Sequence, residues 1–188
     1  MRKYHIAVGI IFFILNLGTL AVAAELQDGF MEYKWGESIS QYAELTGLYT
    51  KGDVTFYSNP GESYTIDDIS VDDVVYGFYQ GSLLAVYIGI DAPETYDKVM
   101  LHMKLKYGLP DTKTSARDRL TTIKWKYKDV TIKLKTDEIG GKMKLAFYYR
   151  PLSRDLKKDQ IDEISETSYR FFPIDKNEKP RMIPFLEF

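Results

Sequence analysis

Between Thr122 and Tyr149 the chain alternates so regularly that a strand ladder is the reading with the right period. Ile123, Trp125 and Tyr127 fall on one side of the first segment, and Lys124, Lys126 and Lys128 on the other. Val130 to Lys135 and Met143 to Tyr149 follow the same rule. They are joined through Lys128 and Asp129 and through residues 138–141, where two glycines stand together. Such a ladder has one wet face and one apolar face, and the apolar face has to be covered by another element.

A cover stands just upstream. Tyr96, Val99, Met100, Met103 and Tyr107 recur at intervals of three and four, which predicts a helix over Pro93 to Tyr107, stopped by Gly108 and Pro110. Asp111 to Asp118 reads as a polar loop. Earlier in the chain, Phe30 to Trp35 alternates as a short strand broken by Gly36. Ser38, three residues before Gln41, has the spacing of a capping box, with the Ser38 hydroxyl accepting from the Gln41 amide. A short helix through Ile39, Tyr42 and Ala43 is expected there, ended by Gly47. Val54 to Tyr57, Val74 to Tyr79 and Leu83 to Ile90 are the next strands, the last two joined through Gln80, Gly81 and Ser82.

The expected class is therefore α+β: antiparallel sheet with short helices packed on one face. Asp53 to Phe56 recurs in type at Asp129 to Ile132, each after a helix that ends at a glycine. This suggests a tandem duplication of units 30–91 and 92–150 within a domain spanning 25–150. The pattern leaves open whether the halves make one sheet or two layers. Residues 151–188 read as an extension: a short helix through Leu156, Ile161 and Ile164, an edge strand over Tyr169 to Phe172, and an apolar terminus from Met182 to Phe188. That terminus is expected to dock on the body, with Phe185 and Phe188 as contacts to a partner if it does not.

The first 24 residues read as a signal peptide, with Arg2 and Lys3 before an apolar run and small residues at Ala21 to Ala24. Export follows, to a periplasmic or secreted site, with an uncleaved membrane anchor as the alternative. The chain contains no cysteine, which excludes thiolate zinc sites, thiol nucleophiles and lipidation of a cysteine at the cleavage site. Residues 25–188 hold 23 basic and 27 acidic side chains, which gives no field for nucleic acid. Membrane contact is expected only through an uncleaved signal segment.

Chemistry-bearing residues are sparse. Beyond His5 the one histidine is His102, expected on the polar side of its helix near Lys98 and Lys106. No serine sits in a G-x-S-x-G turn. Asp67, Asp68, Asp72 and Asp73 form the densest acidic cluster, but without the order or turn glycine of a calcium loop, so a solvated surface is the plainer reading and cation binding the sharper one. Tyrosine is abundant in the predicted strands. Tyr76, Tyr148 and Trp125 are the residues placed on a recognition face, since an aromatic sheet face suits contact with a protein or glycan. Tyr148 and Tyr149 must then point to opposite sides.

F-x-x-x-x-W-G-x-S-I at Phe30 to Ile39, G-F-Y-x-G-x-L at Gly77 to Leu83 and K-Y-G-x-P at Lys106 to Pro110 resemble the pattern of small exported bacterial proteins. At fold level the helix-plus-sheet unit is similar to β-lactamase-inhibitor-like proteins and to small outer-membrane assembly lipoproteins. The resemblance implies no catalytic residue and no cofactor. The functional expectation is an exported binding or accessory module acting on an envelope protein; the alternative is a carboxylate-based envelope hydrolase or a small-ligand or cation-binding protein.

Overall fold

The computed structural model describes residues 26–66, 68–71, 74–115, 119–138, 141–154, 156 and 181–186. The fold is α+β, built on one continuous eight-stranded sheet in which all neighbours are antiparallel. Two four-stranded meanders make it. The first is β3 (Thr46–Lys51), β4 (Val54–Ser58), β7 (Val74–Tyr79) and β8 (Ser82–Ile90). The second is β9 (Asp111–Ser115), β10 (Leu120–Tyr127), β11 (Val130–Asp137) and β12 (Lys142–Tyr149). They meet at their last strands, so the order across the sheet is β3-β4-β7-β8-β12-β11-β10-β9.

The helix α1 (Pro93–Tyr107) has the bounds its periodicity predicts. It must carry the chain from central β8 to edge β9, four strand spacings or roughly 19 Å. Fifteen residues of helix rise about 22 Å, so α1 reaches that edge by lying across one face. Val99 and Met103 are fully buried there, and at its exit the Trp125 indole donates to the Gly108 carbonyl at 2.9 Å. This helix side of the sheet also takes a small hairpin of β1 (Gly29–Phe30) and β2 (Tyr33–Lys34), and a three-stranded sheet of β13 (Arg181–Met182), β5 (Tyr64–Ile66) and β6 (Ile69–Val71). Among the described residues no helix is long and apolar enough to cross a membrane.

Several expectations need correction. Phe30 to Trp35 is not one strand, because Met31 takes φ 57° and folds it into the β1–β2 hairpin. The expected helix after Ser38 is a single 3-10 turn, Ile39–Gln41, and the Ser38 hydroxyl accepts from the Ser40 amide rather than from Gln41. The backbone just before that turn is already committed to the sheet. Gly36 donates to Leu83, Leu83 to Glu37, and Ile39 to Gly81, all at 2.8–2.9 Å. Gly47 lies inside β3 and ends nothing. Asp111 to Ser115 is not loop but the edge strand β9, paired to β10. An edge strand with one neighbour and a wet side needs little apolar content, so its sequence carries no strand period.

Two glycines set local geometry. In the β7–β8 turn both Gln80 and Gly81 have positive φ, the mirror-image turn that matches strand twist. Gly77 lies at a bulge where Leu84 is the extra residue, and its missing side chain lets the Tyr87 and Phe56 rings close over the backbone.

The described C-terminal residues pack on the helix side. Ile183 donates its amide to the Thr65 carbonyl, and the Phe185 ring meets Phe30 and Phe147 edge-on at 5.3 and 5.6 Å. The predicted helix through Ile161 and Ile164 and the strand over Tyr169 to Phe172 lie outside the described residues.

Gly29 tests how tightly the hairpin closes. A methyl group there would press on the Tyr33 carbonyl and stand 2.9 Å from Lys34 Cα, both backbone atoms with no freedom to yield. Gly29→Ala is expected to lower stability by about 1–3 kcal/mol, read as a reduced urea midpoint with unchanged slope.

Candidate functional site

The second face of the sheet carries the lysines that the alternation assigns to it. Lys124 stands opposite Lys133, Lys135 opposite Lys144, and Lys126 opposite Thr131, which in turn faces Tyr148. Like charges directly across a ladder repel. The tyrosine rings relieve part of that cost: Lys133 Nζ lies 4.8 Å from the Tyr148 centroid and Lys144 Nζ 5.7 Å from that of Tyr87. Tyr87 and Tyr148 meet edge-on at 5.7 Å, beside Val54, Phe56, Val75 and Ala146, with Leu152 and Leu156 packed against the same cluster. Burial, and then the neighbouring Tyr148, holds the Tyr87 phenol well above its ordinary pKa.

The recognition residues expected on this basis are therefore not exposed. Tyr148 is buried on the lysine side, while Tyr149 points to the other side and stacks on Trp35. Trp125 is buried against α1, and its polar edge is spent on Gly108. Tyr76 is wholly buried. Phe185 is buried too, and Phe188 lies outside the described residues. Period-two alternation says which side a residue faces but not whether that side is covered.

Tyr76 belongs to a polar network inside the helix-side core. Its hydroxyl and that of Tyr64 are 2.7 Å apart, and Tyr64 donates to Glu62 Oε2 at 2.9 Å. Asn59 donates to the Tyr33 hydroxyl at 3.1 Å, and the Tyr33 ring packs 4.5 Å from that of Tyr76. Burial pushes the Tyr33, Tyr64 and Tyr76 phenols well above their ordinary range. Tyr42 is pushed up to about 12, by burial and then by the Glu37 carboxylate it donates to at 2.6 Å. That hydrogen bond, followed by Lys34, holds Glu37 below the usual carboxylate range. These tyrosines stay neutral around pH 7, so their chemistry is donation and packing rather than nucleophilic attack.

Of the four aspartates in the acidic run, Asp68 is exposed and pairs with Lys98 of α1 at 3.4 Å. Asp67, Asp72 and Asp73 lie outside the described residues. Among the described residues no group of three or more histidine, aspartate or glutamate side chains gathers in a way that would hold a metal. His102 is half-buried rather than on an open surface. Its Nε2 donates to the Phe185 carbonyl at 2.8 Å, so it helps seat the C-terminal segment, with Lys106 Nζ 3.4 Å from the same oxygen. Burial lowers its pKa first; the hydrogen bond to Phe185 opposes that, and the Lys106 charge adds to it.

The outward face of α1 carries Leu101, 59% exposed, and Leu105, 79% exposed, and Leu109 just past the helix is 94% exposed. The spacing of four places Leu101 and Leu105 on one face, and Leu109 lies just past the Gly108 that ends the helix. Lone exposed leucines are ordinary, but two one turn apart on one helix face, with a third just past its end, form a ridge. The four-residue repeat was present in the sequence, and it was masked by the stronger inward stripe of Val99 and Met103.

The chain matches no family model, no curated protein and no solved structure.

The tyrosine network predicts an asymmetry. Tyr76→Phe leaves Tyr64 its bond to Glu62 and is expected to cost about 0.5–1.5 kcal/mol. Tyr64→Phe strands the buried Tyr76 hydroxyl and is expected to cost more, about 1–3 kcal/mol. Paired urea melts at neutral pH check the order.

Proposed function

We propose that this protein is an exported protein-binding module whose contact surface is the leucine ridge on the outer face of α1. The observation that carries the reading is the exposure of Leu101 and Leu105 one turn apart on a helix whose other side is anchored in the core, with Leu109 exposed just beyond its end. Holding a large apolar side chain in water forgoes roughly 1.5–3 kcal/mol of burial for each one, which a surface under no other demand avoids with polar residues. The anchoring matters as much as the exposure. Val99 and Met103 fix the helix from below, Trp125 fixes its exit and Lys98 ties its flank to Asp68. A ridge held in this way meets a partner without having to order its backbone first.

The reading moves the contact away from the sheet face and from the apolar terminus, because Tyr76, Trp125, Tyr148 and Phe185 are occupied in packing. A role in cation binding has less support, since the described member of the acidic cluster is turned to Lys98. Export rests on the residues of 1–24, and an envelope protein is the expected kind of partner.

A crosslinking pull-down from the envelope fraction with tagged protein tests the contact. Leu105→Glu, at a position too exposed to affect folding, is expected to remove the captured protein, while Lys126→Glu on the far side of the sheet leaves it. Equal capture by Leu105→Glu and wild type, with both folded by circular dichroism, would reject the ridge.

A further inference from the structure

We propose that the partner of the α1 ridge is the α1 ridge of a second copy of this chain, packed antiparallel across a twofold axis. The inference rests on the reading above that the ridge is a contact surface, and goes further by naming what fills it.

The charges along one flank of the ridge are self-complementary. Leu101 sits near the middle of α1, with Asp97 four residues before it and Lys104 three residues after, both exposed. Seven residues is close to two helical turns, so Asp97 and Lys104 lie on the same flank of the ridge, one toward each end. A twofold axis crossing the helices at the level of Leu101 turns one copy end for end while keeping like flanks together. Asp97 of each copy then faces Lys104 of the other, and the same pair forms twice, as an isologous interface requires. Leu101 meets its own copy at the axis, and Leu105 of each helix covers the leucine contact from either side. Antiparallel packing also sets the positive end of one helix dipole beside the negative end of the next. The ridge is small against the roughly 800 Å² per partner of a standard interface, so the dimer is weak and depends on concentration.

Sedimentation of the full chain over a wide concentration range tests this. Wild type is expected to show a reversible monomer–dimer equilibrium. Leu101→Glu is expected to weaken it at least about tenfold, the loss usual for a central contact residue. Asp97→Lys and Lys104→Asp are each expected to weaken it, and the double swap to bring it back near wild type, since the pairs are restored with their signs exchanged. A wild type that stays monomeric throughout, or a double swap no better than the single changes, would overturn the inference. If wild type is monomeric yet capture of an envelope protein is still lost with Leu105→Glu, the second-copy inference fails and the ridge reading stands. If wild type is monomeric and capture does not depend on Leu105, both fail.

Discussion

The pairing of β8 with β12 is the contact on which the rest depends. Six residues of each strand are in register, from Ile90 opposite Met143 to Ala85 opposite Tyr148, and the partners are more than fifty positions apart in the chain. Each meander is local and forms from neighbouring strands. Only this seam makes them one sheet, and it places a strand buried on both sides at the centre of the molecule. Val86, Ile88, Leu145 and Phe147 supply the helix-side core, while Ala85, Tyr87, Ala146 and Tyr148 supply the other. The position of α1 follows, because the chain leaves the seam at Ile90 and has to reach the far edge before β9 begins.

That crossing decides which surfaces are available. By lying over β12 to β9, α1 spends its inward stripe on the core and leaves its outward stripe in water, and the C-terminal segment fills beside it through Phe185 and His102. The aromatic side chains that make a sheet attractive as a binding face are drawn into packing on both sides. Among the described residues tyrosine is drawn largely into packing, and in the Tyr33, Tyr64 and Tyr76 cluster each hydroxyl is hydrogen-bonded although burial is almost complete.

Much of the fold was legible in the sequence, and the parts that were not share a cause. Pro93 to Tyr107 and Val74 to Tyr79 were readable to the residue because a strong period, a starting proline or a stopping glycine marked them. β9 was not, since an exposed edge strand imposes no hydrophobic pattern. The turn at Ile39 was not, since long-range pairing of residues 36–39 with 81–83 overrode a sound local capping signal. The similarity of Asp53 to Phe56 with Asp129 to Ile132 falls on strands in unlike places: β4 is third from the central seam and β11 is second on the other side. Of the residues proposed for recognition, the strand side was legible for Tyr148 and Trp125, but what covers each side is a property of tertiary packing. The leucine ridge was legible in principle from its four-residue repeat.

Hydrogen exchange of the folded protein, under conditions where reclosing outruns the chemical exchange step so that the signal reports the opening equilibrium, tests the role of the central seam most directly. If the seam carries the fold, the amides of β8 and β12 share the highest protection and a single opening free energy, equal to that of global unfolding. Two different values, with one meander exchanging through its own opening while the other stays closed, would contradict it and make the halves separate cooperative units.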